Sequence, residues 1–187
     1  MILRQKIAAE IGELFEMQAD ISWFMAEDFT ESPIETAFVV AFEWFCRYYW
    51  DQVVINKRPA DTRYCAHLRQ RFGSEEWVHV NPQAEIGDYR VDFLITFSCY
   101  DREEAFIVEC DGHDFHDRTP EQASRDRERD RKLTIAGHKV FRFTGTDINR
   151  RPTDCVNELA QFMTTRRVAA RIASENADAE QSNVVSI

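Results

Sequence analysis

Residues 89–97 (YRVDFLITF) and 105–110 (AFIVEC) are dense in aromatic and β-branched side chains, which marks both as strands. Only the polar run Cys99-Tyr100-Asp101-Arg102-Glu103 separates them, so they predict an antiparallel hairpin. Thr119-Pro120 then opens a helix, with Thr as the cap and Pro at the first position. That helix is expected to run to about Ala136 and to stop at Gly137. Residues 138–144 (HKVFRFT) read as the next strand, and residues 77–80 (WVHV) as a short earlier one. A strand–helix–strand crossover pairs its two strands in parallel, with a right-handed connection. The fold class that follows is α/β: a mixed β-sheet, built from a core hairpin and a crossover, flanked by helices.

The rest of the chain reads as helix. Residues 2–18 carry Ile7, Ile11, Leu14, Phe15 and Met17 at helical spacing, an amphipathic pattern. Ser32-Pro33-Ile34-Glu35 is a helix start in which Ser32 caps, Pro33 takes the first position and Glu35 completes a capping box. The helix it opens reaches about Trp50, is aromatic around most of its surface and should be largely buried. A short helix is expected over residues 65–72, and a last one from Pro152 to about Ala173. The polar stretch 174–187 is expected to be disordered. The organisation expected is a helical extension over 1–31, one domain over 32–172 and an acidic tail over 173–187.

The formal net charge of −10 argues against binding nucleic acid by bulk charge. The charge is uneven, however: residues 1–51 sum to −7, residues 173–187 to −3, and the stretch between them to zero. The five cysteines include no C-x-x-C pair, so neither a disulfide framework nor a structural zinc site is indicated. The N-terminus lacks the pattern of a secretory signal. The most apolar window, residues 37–50, contains Glu43 and Arg47 and is shorter than the ~20 residues a bilayer span needs. A cytoplasmic protein is expected.

Glu109 and Asp111 lie two residues apart on the hairpin's second strand, so they share a face. Asp92 lies on the partner strand. Burying three like charges costs several kcal/mol unless something compensates. A divalent cation with oxygen ligands is one compensator, and such an ion activates water and stabilises charge on a phosphate. The alternative is that these carboxylates end their strands in solvent.

Around the cluster stand Gln83-Ala84-Glu85-Ile86-Gly87-Asp88-Tyr89-Arg90-Val91-Asp92-Phe93, then Ile107-Val108-Glu109-Cys110-Asp111-Gly112-His113-Asp114-Phe115-His116. Asp126-Arg127-Glu128-Arg129-Asp130 and Gly137-His138-Lys139-Val140-Phe141-Arg142-Phe143-Thr144 follow. Over roughly residues 33–148 this succession resembles a domain family related to the very-short-patch-repair (Vsr-like) endonucleases, within the PD-(D/E)XK nuclease superfamily. The resemblance implies a restriction-endonuclease-like fold and a metal-dependent endonuclease acting on DNA, with Mg²⁺ or Mn²⁺ as cofactor.

It further implies a metal site of Asp92, Glu109 and Asp111, the last standing where many members carry lysine. His116 becomes the candidate general base or proton shuttle, since imidazole titrates near neutrality, with His113 as a weaker candidate. Glu35 matches an acidic residue of the first core helix, which competes with its reading as a cap. Gln83 matches a polar residue that approaches the site. Arg129 is expected to bind the scissile phosphate and to replace part of the missing lysine's charge. Its helix otherwise reads as a solvated, salt-bridged surface. Arg142 should lie near the same edge, and Arg150, Arg151, Arg166, Arg167 and Arg171 could form a face for the nucleic-acid backbone. The alternative function is a catalytically inactive nuclease-fold module that binds nucleic acid or a protein partner.

Overall fold

The computed structural model describes residues 16–49, 52–57, 66–68, 70–71, 77–99, 102–112 and 119–184. Helix α1 covers residues 16–27 and α2 covers Pro33–Tyr49. Strand β1 (Gln52–Ile55) follows, and then a short helix α3 to which residues 66–68 and 70–71 belong. Strands β2 (Trp77–Ile86), β3 (Tyr89–Cys99) and β4 (Arg102–Asp111) form a meander. Helix α4 (Pro120–Ile135) crosses over to β5 (Lys139–Thr144). Helices α5 (Gly145–Arg150) and α6 (Pro152–Val184) close the chain.

The five strands make one sheet in the order β1-β2-β3-β4-β5. The inner pairs β2–β3 and β3–β4 are antiparallel, and the outer pairs β1–β2 and β4–β5 are parallel. This is the mixed sheet flanked by helices that the hairpin and crossover predict, and it is consistent with a restriction-endonuclease-like fold. The larger core lies between one face of the sheet and the helices α2 and α6. There Phe38, Val39, Phe42 and Cys46 of α2 meet Phe93, Ile95, Phe97 and Phe106. The spacing of those four α2 residues places them on one stripe, which is why this face is buried. A smaller core on the opposite face packs Leu133 of α4 against Ala84, Val91 and Ile107. Helix α4 ends at Gly137 (φ +89), where the His138 N–H reaches the Leu133 carbonyl and the Gly137 N–H reaches that of Thr134. That pattern is a Schellman stop.

Three expectations change. Strand β2 does not end at Val80 but runs on to Ile86. A two-residue turn at Gly87-Asp88 joins it to β3, with Gly87 at φ +59, the II′ pattern that suits strand twist. Cys99, Arg102 and Glu103 belong to strands rather than to the polar turn. The last helix does not stop near Ala173: α6 continues through Val184, so residues 174–184 are helical rather than a disordered tail. The stretch contains no Pro or Gly to stop the helix, and Ala177, Ala179, Glu175 and Glu180 favour its continuation.

His79 of β2 is fully buried, with Nε2 3.1 Å from the Asn56 side-chain oxygen. Burial lowers its pKa to about 4, because the charged ring would be desolvated. The unfolded chain therefore binds this proton first, and stability falls as pH drops from about 6.5 towards 4. Urea midpoints of the parent should decline across that window, and those of His79→Asn should decline less steeply.

Candidate functional site

The β3–β4 ladder ends at the pair Phe93–Val108. Continued one step, that register sets Asp92 against Glu109, where the two strands part. The Asp92 carboxylate enters the gap: its Oδ2 accepts the Cys110 N–H at 2.7 Å, taking the place of a strand partner. Strand β4 meanwhile stays paired with β5, Glu109 opposite Arg142 and Asp111 opposite Thr144. The sheet thus opens at a point lined by acids.

A backbone irregularity lies on the other side of Asp92. Gln83, its counterpart in the β2–β3 register, has φ +53, the one non-glycine with positive φ among the described residues. The ladder skips this position and resumes at Ala84–Val91. Val80 and Phe93 lie in the core under α2 and α6, yet Ala84 and Val91 lie in the core under α4. Simple alternation would keep each pair on one face. Both strands therefore turn over at Gln83 and Asp92, and the hairpin tip packs against the opposite helix layer. The left-handed backbone costs Gln83 on the order of 1–2 kcal/mol. Gln83→Gly should accordingly be more stable than Gln83→Ala by about 1 kcal/mol in urea unfolding, although both lose the same side chain.

The Gln83 amide is held by Glu35, whose Oε2 accepts it at 2.7 Å. Glu35 is buried at the start of α2. Its carboxylate also accepts the Glu31 N–H at 2.9 Å and the Ser32 hydroxyl at 2.8 Å, while Ser32 Oγ accepts the Glu35 N–H at 3.3 Å. The cap forms as expected on the Ser32 side, but the backbone N–H that the carboxylate reaches back to is that of Glu31 rather than that of Ser32. Glu35 also stands close enough to Asp92 to raise its pKa. Cap and site neighbour are thus one residue.

Glu109 is 4% exposed, an unusual burial for a carboxylate. Arg129 of α4 forms an ion pair with it, Nη2 meeting Oε1 and Nη1 lying 3.3 Å from Oε2. The same Nη2 donates to the Arg90 carbonyl at 2.7 Å, so the guanidinium bridges α4, β3 and β4. Burial, and then the Asp92 charge, push Glu109 up to about 7 against the pull of Arg129 and Arg142. Asp92 is also raised, by burial first; the Cys110 N–H opposes the rise, and Glu35 and Asp111 add to it. Asp111, at the strand end, lies 3.5 Å from Arg142 Nη1, and Arg142 Nη2 is tied to Asp130 at 2.6 Å.

The structure therefore brings together Asp92, Glu109, Glu35, Asp111 and Arg129. His116 and His113 lie outside the described residues. Of the expected arginine face, Arg151 pairs with Asp154, Arg166 with Glu104 and Arg171 with Glu175. Sequence reasoning missed two supports of the site, the Arg90 carbonyl and Asp130. Asp130 follows Arg129 directly, but a charge-dense helix gives no sign of which acid turns inward.

Asp92 and Glu109 offer a hard cation oxygen donors, and their raised pKa values mark negative charge that the protein balances only in part. Mg²⁺ commonly takes one or two carboxylates and completes its shell with water and phosphate oxygens. The pair fits that mode. Among the described residues no group of three or more His, Cys, Asp or Glu is arranged to hold a metal ion, so a closed protein cage is not what these side chains form. None of the described helices is long and apolar enough to cross a membrane.

A family model described as REase_MTES_1575, a restriction-endonuclease-like family, matches residues 66–163, which is 98 of the 187 residues. The match includes β2 to β5 and α4, and with them Asp92, Glu109, Asp111 and Arg129. No curated protein and no solved structure matches the chain. Sheet order, the acidic pair where the strands part and the family match agree, and the chain belongs to the restriction-endonuclease-like family REase_MTES_1575.

Proposed function

We propose that this nuclease-fold protein is a metal-dependent endonuclease that hydrolyses phosphodiester bonds in DNA, of the Vsr-like PD-(D/E)XK type. The observation that carries the reading is the pair of buried Glu109 and half-buried Asp92 at the point where β3 and β4 part, both with pKa values raised by desolvation first and Glu109 further raised by the Asp92 charge. Asp92 and Glu109 would hold Mg²⁺ or Mn²⁺. When bound, the ion supplies an activated water and charge stabilisation at the phosphate. The Cys110 N–H fixes the Asp92 carboxylate, and the Gln83–Glu35 contact fixes the strand behind it. Arg129, paired with Glu109, would turn to a phosphate oxygen. At position 111, where many members of the superfamily carry lysine, Asp111 lies 3.5 Å from the Arg142 guanidinium. That guanidinium takes over part of the lysine's electrostatic role, with Asp111 as its anchor. His116 remains the proposed proton carrier.

Incubation of the protein with supercoiled plasmid and Mg²⁺ or Mn²⁺ tests the reading. Nicking by the parent and none by Asp92→Ala supports it; equal nicking by both marks a contaminant and ends it.

One observation favours the second reading, an inactive module that binds nucleic acid or a protein partner. Glu109, Asp111 and Asp92 each already have a guanidinium or an N–H partner within the chain. In that case no metal produces cleavage, and binding survives alanine at Asp92 and Glu109.

A further inference from the structure

Helix α1 is amphipathic the wrong way round. Towards α2 it turns small residues: Ala26 is buried, and Ser22 accepts the Trp44 indole N–H at 3.2 Å. Outward it presents Met17, Ile21, Trp23, Phe24 and Met25, of which Phe24 is 71% exposed. These are five of the eight large apolar side chains exposed among the described residues. Met17, Ile21, Phe24 and Met25 follow the i, i+4, i+7, i+8 spacing of one continuous stripe. A groove of about 460 Å³ between α1 and α2 extends it, with Ile21 and Trp44 in its wall and the Glu43–Arg47 pair at its rim. A monomer rarely leaves so concentrated an apolar surface to water without a use for it.

The charge around the stripe selects the occupant. Glu16, Asp20 and Glu27 lie on α1 and Asp28 directly follows it, no lysine or arginine occurs between residues 16 and 46, and Arg47 at the groove rim is already paired with Glu43. A second copy would bring the same acids against these, and an anionic membrane would be repelled likewise. We propose that the outer face of α1 and the α1–α2 groove dock a basic amphipathic helix of a partner protein. Its apolar residues, spaced at i, i+4 and i+7, would lie along Met17, Ile21 and Phe24, and its lysines and arginines would meet the acidic rim. The proposal is independent of the nuclease reading.

Two synthetic amphipathic helices of about five turns test it. They share one leucine face and carry either lysine or glutamate on the other, with no tryptophan, so that Trp23 and Trp44 of the full chain report binding. The lysine peptide is expected to bind saturably, at least about tenfold tighter than the glutamate peptide, and more weakly as salt rises. Ile21→Ser with Phe24→Ser should lose that binding while melting within a few degrees of the parent. Asp20→Asn with Asp28→Asn keeps the stripe and should erase the preference for lysine. Equal binding of the two peptides, or unchanged binding by the Ile21/Phe24 variant, would overturn the proposal. So would a parent dimer that this variant converts to monomer, because a second copy would then cover the face.

Discussion

Glu109→Gln is expected to lose at least about a hundredfold in metal-dependent cleavage and yet to unfold at higher urea than the parent near pH ~8. The loss follows from removing a metal-binding oxygen charge, since even the partners that merely support metal ligands are worth 10–100-fold. The gain follows from the same burial that makes the site. In the folded protein Glu109 holds its proton up to about 7, against 4.5 for the ordinary group. Between those values the folded state binds the extra proton, so stability falls as pH rises through the window. Above about 7 the whole penalty is present, on the order of 3 kcal/mol. Glutamine mimics the protonated side chain and can still accept from Arg129. The variant and parent should therefore match near pH ~5 and diverge towards pH ~8, measured with chelator present. A variant less stable than the parent at both pH values would mean that the Arg129 pair outweighs the cost of burying the charge.

Local chemistry explains which parts of this arrangement were legible in the sequence. The Ser32–Glu35 cap, the Thr119-Pro120 start and the Gly137 stop are written within a few residues each, and the structure follows them. The β3–β4 hairpin and the parallel β4–β5 pair follow from apolar runs and connection lengths. The reach of β2 was hidden by Pro82, which argues against a central strand. The structure accommodates it because β1 pairs only as far as Val80, so among the described residues β2 has no strand partner on that side at Pro82. The turnover at Gln83 was not legible at all. Glutamine has no preference for positive φ, and the conformation is imposed by tertiary contacts, the Glu35 bond on one side and the two cores on the other. The acids could be placed on strands and faces from period alone. That Arg129 pairs with Glu109 itself depends on how α4 lies across the sheet, where Leu133 packs against Ile107 and Val91.

Arg129→Ala should produce the largest stability loss, about 3–5 kcal/mol at neutral to alkaline pH. It strips the paired guanidinium from a nearly buried carboxylate and leaves only the weaker pull of Arg142 on that charge, and it also removes a donor from the Arg90 carbonyl. The sign of its pH dependence is fixed by Glu109. Without Arg129, which pulls the pKa down, Glu109 should titrate higher still. The deficit against the parent should therefore shrink as pH falls and the carboxyl takes up its proton. A divalent cation answers the same deficit from another direction. In the parent, Arg129 and an ion would compete for Glu109; in the variant the ion meets no such competitor. Mn²⁺ is therefore expected to raise the melting temperature of Arg129→Ala by more than that of the parent, since an ion that binds only the folded chain stabilises by mass action. Arg129→Ala with Asp92→Asn should lose that extra gain. Equal Mn²⁺ shifts in parent and Arg129→Ala would place the ion away from Glu109 and leave Arg129 as a structural clamp between α4 and the sheet.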